Sequence, residues 1–152
     1  MNNTISLAQD GKINENASIK DQHSIIINAP IEKVWSIITN ISEWESWNGD
    51  VKNVKINEEP KVGTPFKWKI GRLSTSSQIQ SLDKPTTFSF TGKSSFVKRI
   101  HVWSLETDDE QTIATLATSL QGVFTVWVEN HRSVYNELLN WLESLKQIAE
   151  GE

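Results

Sequence analysis

Residues 22–50, QHSIIINAPIEKVWSIITNISEWESWNGD, constrain the fold more than any other stretch of this chain. His23, Ile25 and Ile27 alternate along a strand that runs into Ala29-Pro30. Pro30 suits a first helical position, where its missing N–H would be unpaired anyway. Ile31, Val34, Trp35 and Ile38 then fall at i, i+3, i+4 and i+7, one face of a short helix. Ile41, Trp44 and Trp47 carry the apolar anchoring into a second short helical piece. The remainder reads as strands followed by one long terminal helix. Such a chain fits a single antiparallel sheet with the helix laid across it.

The strand evidence is alternation. Val54 and Ile56 share one face of a strand over 51–56, and Glu58-Glu59-Pro60-Lys61 is a turn by composition. Phe66, Trp68 and Ile70 alternate with Lys67 and Lys69, the mark of a sheet with one buried and one wet face. Gly71 closes a hairpin, after which Leu73, Thr75, Ser77 and Ile79 oppose Ser74, Ser76, Gln78 and Gln80. Asp83-Lys84-Pro85 turns the chain into Phe88 and Phe90, and residues 91–95 turn it again. Over 97–107, His101, Trp103 and Leu105 share the face assigned inward, with Ile100 and Val102 opposite. Asp108-Asp109-Glu110 reads as a solvated hairpin tip, and the last strand, 112–120, points Ala114, Leu116, Thr118 and Leu120 inward.

Beyond Gly122 the pattern changes period. Trp127, His131, Val134, Leu138, Trp141, Leu145 and Ile148 are spaced alternately four and three, predicting a helix over roughly 124–149. About 24 helical residues span roughly 36 Å, enough to cross a curved sheet. Residues 1–18 are polar and Asn-rich and are expected to form a flexible arm, leaving 19–152 as a single domain.

Composition narrows the function. A net charge of −4 with interspersed signs leaves no clustered basic footprint, which argues against a nucleic-acid partner. No apolar run approaches a membrane span, and the N-terminus lacks a signal-peptide pattern, so the expectation is a cytoplasmic protein without stable membrane insertion. There is no cysteine to supply thiolate chemistry. His23, His101 and His131 share no ligand spacing, and no phosphate loop, GxSxG elbow, HExxH or calcium loop is present. No metal and no cofactor is expected.

The order Ile25, Ile27, Ala29-Pro30, Val34-Trp35 and Trp44-x-x-Trp47 resembles the START-like helix-grip (SRPBCC) superfamily, in its polyketide cyclase/dehydrase-like branch. Gly63-x-x-Phe66-x-Trp68, His101-x-Trp103-x-Leu105, Gly122 and Trp141-Leu142-x-x-Leu145-Lys146 extend the likeness over roughly residues 20–150. The resemblance implies an α+β helix-grip fold. That is a curved antiparallel sheet of about seven strands around a long C-terminal helix, with two short helices after strand 1 and an internal cavity. It also implies a small hydrophobic partner, lipid-like or aromatic, in a monomer or homodimer. A cyclase, aromatase or dehydratase using the same cavity is the enzymatic alternative. A third reading, in which Trp44 and Trp47 anchor a protein partner, requires them exposed; as a helical plug they would be buried.

Strand parity supplies the lining of such a cavity. From the sheet come Phe66, Trp68, Ser77, Ile79, Phe88, Phe90, His101, Trp103, Leu116, Thr118 and Leu120; from the helix come Val134, Leu138 and Leu142. His101 is the one candidate for acid–base catalysis, an imidazole on an inward face with no evident inward carboxylate to orient it. Relatives in the cyclase-like branch often carry a glutamate near the position of Thr118, and its absence speaks against efficient proton transfer. Arg72 and Arg99 are candidates to anchor an acidic ligand group at a cavity mouth, or are surface charges. His131 is expected at the core or its rim, and Tyr135 either at the cavity or in solvent.

Overall fold

The computed structural model describes residues 3–94, 96–122 and 131–151. A helix α1 (Asn3–Gln9) precedes strand β1 (Ile19–Ile27). Helix α2 (Ile31–Thr39), a 3-10 turn (Ile41–Glu43) and the one-turn helix α3 (Trp44–Trp47) follow. Then come β2 (Val51–Lys55), β3 (Pro65–Ile70), β4 (Leu73–Asp83), β5 (Thr87–Ser94), β6 (Val97–Asp108), β7 (Gln111–Gly122) and a C-terminal helix α4 (His131–Glu150).

The strands form one seven-stranded antiparallel sheet in the order β1-β7-β6-β5-β4-β3-β2. Strands β2 to β7 are a meander, and β1 lies on the far edge against β7, with Ile19 opposite Leu120 and Ile27 opposite Thr112. The α2–α3 segment must therefore carry the chain from one edge of the sheet to the other. Pro30 caps α2 from just outside, with extended backbone, rather than occupying its first turn. Ile31, Val34, Trp35 and Ile38 are its buried face, as the spacing predicts.

Alternation sorts the two sheet faces. Phe66 and Trp68 are buried, whereas Lys67 is exposed and Lys69 half-buried. Together with α2, α3 and α4 the inner face forms one large hydrophobic cluster. In β4 the parity shifts where a bulge falls between Ile79 and Ser81, so Ser81 pairs with Ser89 and Leu82 with Phe88. Residues 91–95 are not a turn up to Ser94: β5 continues through Gly92, which pairs with Ser77 on one side and Arg99 on the other.

The N-terminal segment departs most from expectation. Rather than a loose polar arm, it lies on the outer face of the sheet, where Ala8 and Ile13 are buried with Ile100, Val102 and Ala117. Helix α1 ends in a Gly-capped turn: Gly11 has φ +71°, its N–H donates to Ala8, and the Lys12 N–H donates to Leu7. Asn14 N–H donates to Ser119 Oγ and Ser18 N–H to Gln121 Oε1, which stitches the segment to β7.

In α4, Val134, Leu138, Trp141, Leu142 and Leu145 are buried, but Ile148 is 44% exposed and Ala149 takes its place. A strict seven-residue repeat drifts about 20° per heptad around a straight helix, which carries position 148 off the buried face. The expected start near 124 and Trp127 fall outside the described residues. Among the described residues no helix is long and apolar enough to cross a membrane.

Candidate functional site

The inner face of the sheet, roofed by α4 and closed at one end by α2 and α3, gathers every residue the parity analysis placed inward. Phe66, Trp68, Ile79, Phe88, Phe90, Trp103, Leu116, Leu120, Val134, Leu138 and Leu142 belong to one buried cluster, and Ser77, His101 and Thr118 are buried among them. Register explains the grouping. Across the sheet, Phe66 faces Ser77, Ile79 faces Phe90, Phe90 faces His101, and His101 faces Thr118.

Aromatic rings dominate this interior. Trp44 on α3 stands at its centre, 5.6 Å from Phe66, 5.3 Å from Trp68, 5.5 Å from Phe90 and 5.1 Å from Trp141, centroid to centroid. Most of these contacts are edge-on, the arrangement in which the positive ring edge meets the negative face. Trp44 Nε1 donates to the Ile38 carbonyl at 3.0 Å and Trp68 Nε1 to Ser77 Oγ at 2.9 Å. Trp44 is thus a buried plug, and Trp47 is half-buried beside Trp141.

A polar group sits against the aromatic wall. Arg99 on β6 is fully buried, and its Nη1 donates to Glu137 Oε2 on α4 at 2.9 Å. The same Nη1 lies 3.4 Å from His101 Nε2. Guanidinium has no lone pair to offer, so Nε2 must be the acceptor and the imidazole proton resides on Nδ1. The imidazole stacks on Phe90 with centroids 4.8 Å apart and planes 17° apart. Burial first, and the Arg99 charge second, hold its pKa well below the ordinary 6.5, so the ring is neutral at physiological pH. Thr118 donates its hydroxyl proton to the Ile100 carbonyl at 2.9 Å.

Three expectations need correction here. Arg99 is neither a surface charge nor a mouth residue but the buried centre of this group. An inward carboxylate does exist, Glu137, supplied by the helix rather than by a strand. His131 is exposed, neither core nor rim. Arg72 is exposed, and Tyr135 is 44% exposed with its ring edge against His23. The signal for the Arg99–Glu137 pair was present in the sequence. Arg99 has the parity of His101 and Trp103, and Glu137 lies three residues after Val134 and four before Trp141.

This architecture agrees with what sequence comparison finds. The family model described as "Polyketide cyclase / dehydrase and lipid transport" matches residues 18–148. The chain belongs to this family. No curated protein matches it. Solved structures share the fold of this chain at low identity. An aromatase/cyclase from a Streptomyces species is 16% identical, with 86% of this chain and 93% of that chain covered and a TM-score of 0.76. A START superfamily protein from Mycobacterium smegmatis is 12% identical, with 87% and 97% covered and a TM-score of 0.73. A hypothetical protein from Helicobacter pylori is 15% identical, with 86% of each chain covered and a TM-score of 0.73. At such identities the likeness is one of fold: the helix grip is shared, and the chemistry of the interior has to be read from this chain's own residues.

Proposed function

We propose that this protein binds a small hydrophobic molecule, lipid-like or aromatic, between the inner face of the sheet and α4. The observation that carries this reading is the buried Arg99–Glu137 pair with neutral His101, set into an otherwise aromatic and aliphatic interior. A core built for stability alone gains little from such a group, because apolar side chains of similar volume stabilise as well or better. An apolar lining with a few convergent polar groups is, by contrast, the usual composition of a small-molecule site. Family membership and fold support the same reading. The Trp44 ring stands at the centre of the interior, so entry of a ligand entails displacement of that ring together with the short α3.

The test is saturable binding of a fluorescent hydrophobic dye, anilinonaphthalene sulfonate, to the native protein, with displacement by fatty acids or polycyclic aromatics. Absence of saturable binding sinks the proposal. The enzymatic alternative, a cyclase, aromatase or dehydratase, is favoured by one observation, the neutral imidazole of His101 with a lone pair on Nε2. That lone pair already faces Arg99, and the depressed pKa makes His101 a weak base, so binding is the stronger reading. Were His101→Gln to abolish turnover of an identified substrate while sparing its affinity, the enzymatic reading would replace it.

A further inference from the structure

The junction of α3 with α4 holds three buried N–H donors that have no acceptor among the described residues: Trp47 Nε1, Asn48 Nδ2 and Trp141 Nε1. They are close neighbours. The rings of Trp47 and Trp141 are 5.5 Å apart, edge to face. Asn48 directly follows Trp47, and its side chain is tied to α4 by Asn140, the residue before Trp141, through a 2.7 Å hydrogen bond. Asn48 is fully buried and Trp141 is 1% exposed.

The orientation of the Asn48 amide is settled by its partners. Its Oδ1 accepts from Asn140 Nδ2 and from the Asp50 N–H, at 2.7 and 3.0 Å. Only an oxygen can accept both, so the two Nδ2 hydrogens are the ones left over. All three residual groups are donors, and none can satisfy another. Trp44 and Trp68, in the same core, do have acceptors, whereas the hydroxyls of Thr75 and Ser94 elsewhere share the shortage; what sets the junction apart is that its three groups are neighbours and all donors. A buried donor left without a partner costs about 1–3 kcal/mol, and three in one place are more than a fold carries without return.

The chemistry of the missing partner follows from the donors. It accepts hydrogen bonds and gives none. The junction also holds the Asp50 carboxylate, 3.1 Å from Asn140 Nδ2, and no cationic side chain takes part in these contacts. A negative charge is disfavoured there, and a neutral carbonyl oxygen is favoured. Resting on the proposed ligand-binding interior, we propose that Trp47, Asn48 and Trp141 form a recognition subsite for the carbonyl of a ketone- or quinone-bearing aromatic ligand. The ring system of that ligand packs against the tryptophans, and its carbonyl oxygen takes the N–H groups.

The probes are 9-fluorenone and fluorene, which share one tricyclic frame and differ by a single carbonyl in place of a methylene. The full chain, labelled with nitrogen-15 on its indole nitrogens, is titrated with each while the indole N–H signals are followed. Signals of Trp47 and Trp141 are assigned with Trp47→Phe and Trp141→Phe. Fluorenone should bind about tenfold more tightly than fluorene, the worth of roughly one buried hydrogen bond. It should shift both indole signals downfield, and fluorene should not. Asn48→Asp keeps an oxygen for Asn140 and the Asp50 N–H but replaces the amide donor, so it should erase most of the preference while fluorene still binds. Should that variant not fold, the indole shifts of the unmodified chain decide alone. Equal affinities with unmoved Trp47 and Trp141 signals overturn the subsite, leaving trapped water or neighbouring ring faces as the donors' partners and the hydrophobic-ligand reading intact. Failure of both probes to bind saturably overturns the subsite and that reading together.

Discussion

Glu137 carries a charge in a place where charge is expensive, and the expense is met by Arg99 at 2.9 Å. Removing one partner of a buried ion pair typically costs about 3–5 kcal/mol. Glu137→Gln should therefore lower the urea-unfolding stability by about that amount, whereas a paired Arg99→Met, Glu137→Leu replacement should recover most of it. An equal loss in single and double variants would mean that packing, not charge, sets the cost. His101 gives a second expectation at this scale. In the unfolded chain its imidazole returns to the ordinary 6.5, while burial and Arg99 keep the native ring from accepting a proton. Below that pH the unfolded state binds a proton the native state refuses. Stability therefore falls as pH drops, by up to about 1.4 kcal/mol per pH unit, and above it this residue contributes no slope. Unfolding midpoints measured from about pH 7 down to pH 5 should show this slope, and His101→Gln should flatten it. At this scale the sequence was half legible. Strand parity put His101 inward, and the spacing from Val134 and Trp141 marks the helix face of Glu137, but that Arg99 meets it there shows only when the strand and helix are brought together.

Elements are where the periodic signals did most. The alternation of β3 and the helical face of α2 fix their orientation because one face of each is wet, and a shift of one residue would invert every side chain. The signals weaken where packing, not period, decides. Gly92 reads as part of a turn, yet it lies within β5 because no side chain fits there. A Cβ at that position would stand 2.8 Å from Thr75 Cγ2, 3.1 Å from Arg99 Cγ and 3.2 Å from Ser77 Oγ. Gly92→Ala should gain about 0.4–1 kcal/mol by restricting the unfolded chain. It should lose about 1–3 kcal/mol to overpacking against three side chains on two strands that cannot all retreat. The expected net is destabilisation, and because Arg99 is one of the displaced neighbours, dye binding by the interior should weaken as well. An unchanged melting temperature would show that β4 and β6 yield freely at this point. The bulge in β4 was equally invisible to pattern, since the extra residue, Gln80, sits in a run of Ser, Gln and Ile that tolerates either parity.

At the scale of the whole molecule the sheet has two faces to cover, and α4 covers only one. The outer face of β6 and β7 presents Ile100, Val102 and Ala117 in a region where alternation calls for polar residues. Those side chains are the sequence's own notice that something lies over them, and Ala8 and Ile13 do. The polar, Asn-rich composition of residues 1–18 hides this, because among its described residues only Ala8 and Ile13 are buried, and Asn14 and Ser18 bond to β7 through their backbone N–H groups. Between the segment and the sheet runs a groove of about 620 Å³, so the cover is held at a few points and is not packed along its length. Burial of an isoleucine side chain stabilises by about 1.5–3 kcal/mol. Deleting residues 1–14 should accordingly lower the unfolding free energy by at least that much and open a second, weaker dye-binding surface on the outer face. Ile13→Asp in the full chain should reproduce the loss, since it removes the apolar contact and leaves the hydrogen bonds to Ser119 and Gln121 available. Ligand binding in the interior should survive both changes, because the sheet separates the two faces. If the shortened protein instead unfolds at an unchanged urea concentration, the segment covers the sheet without contributing to its stability.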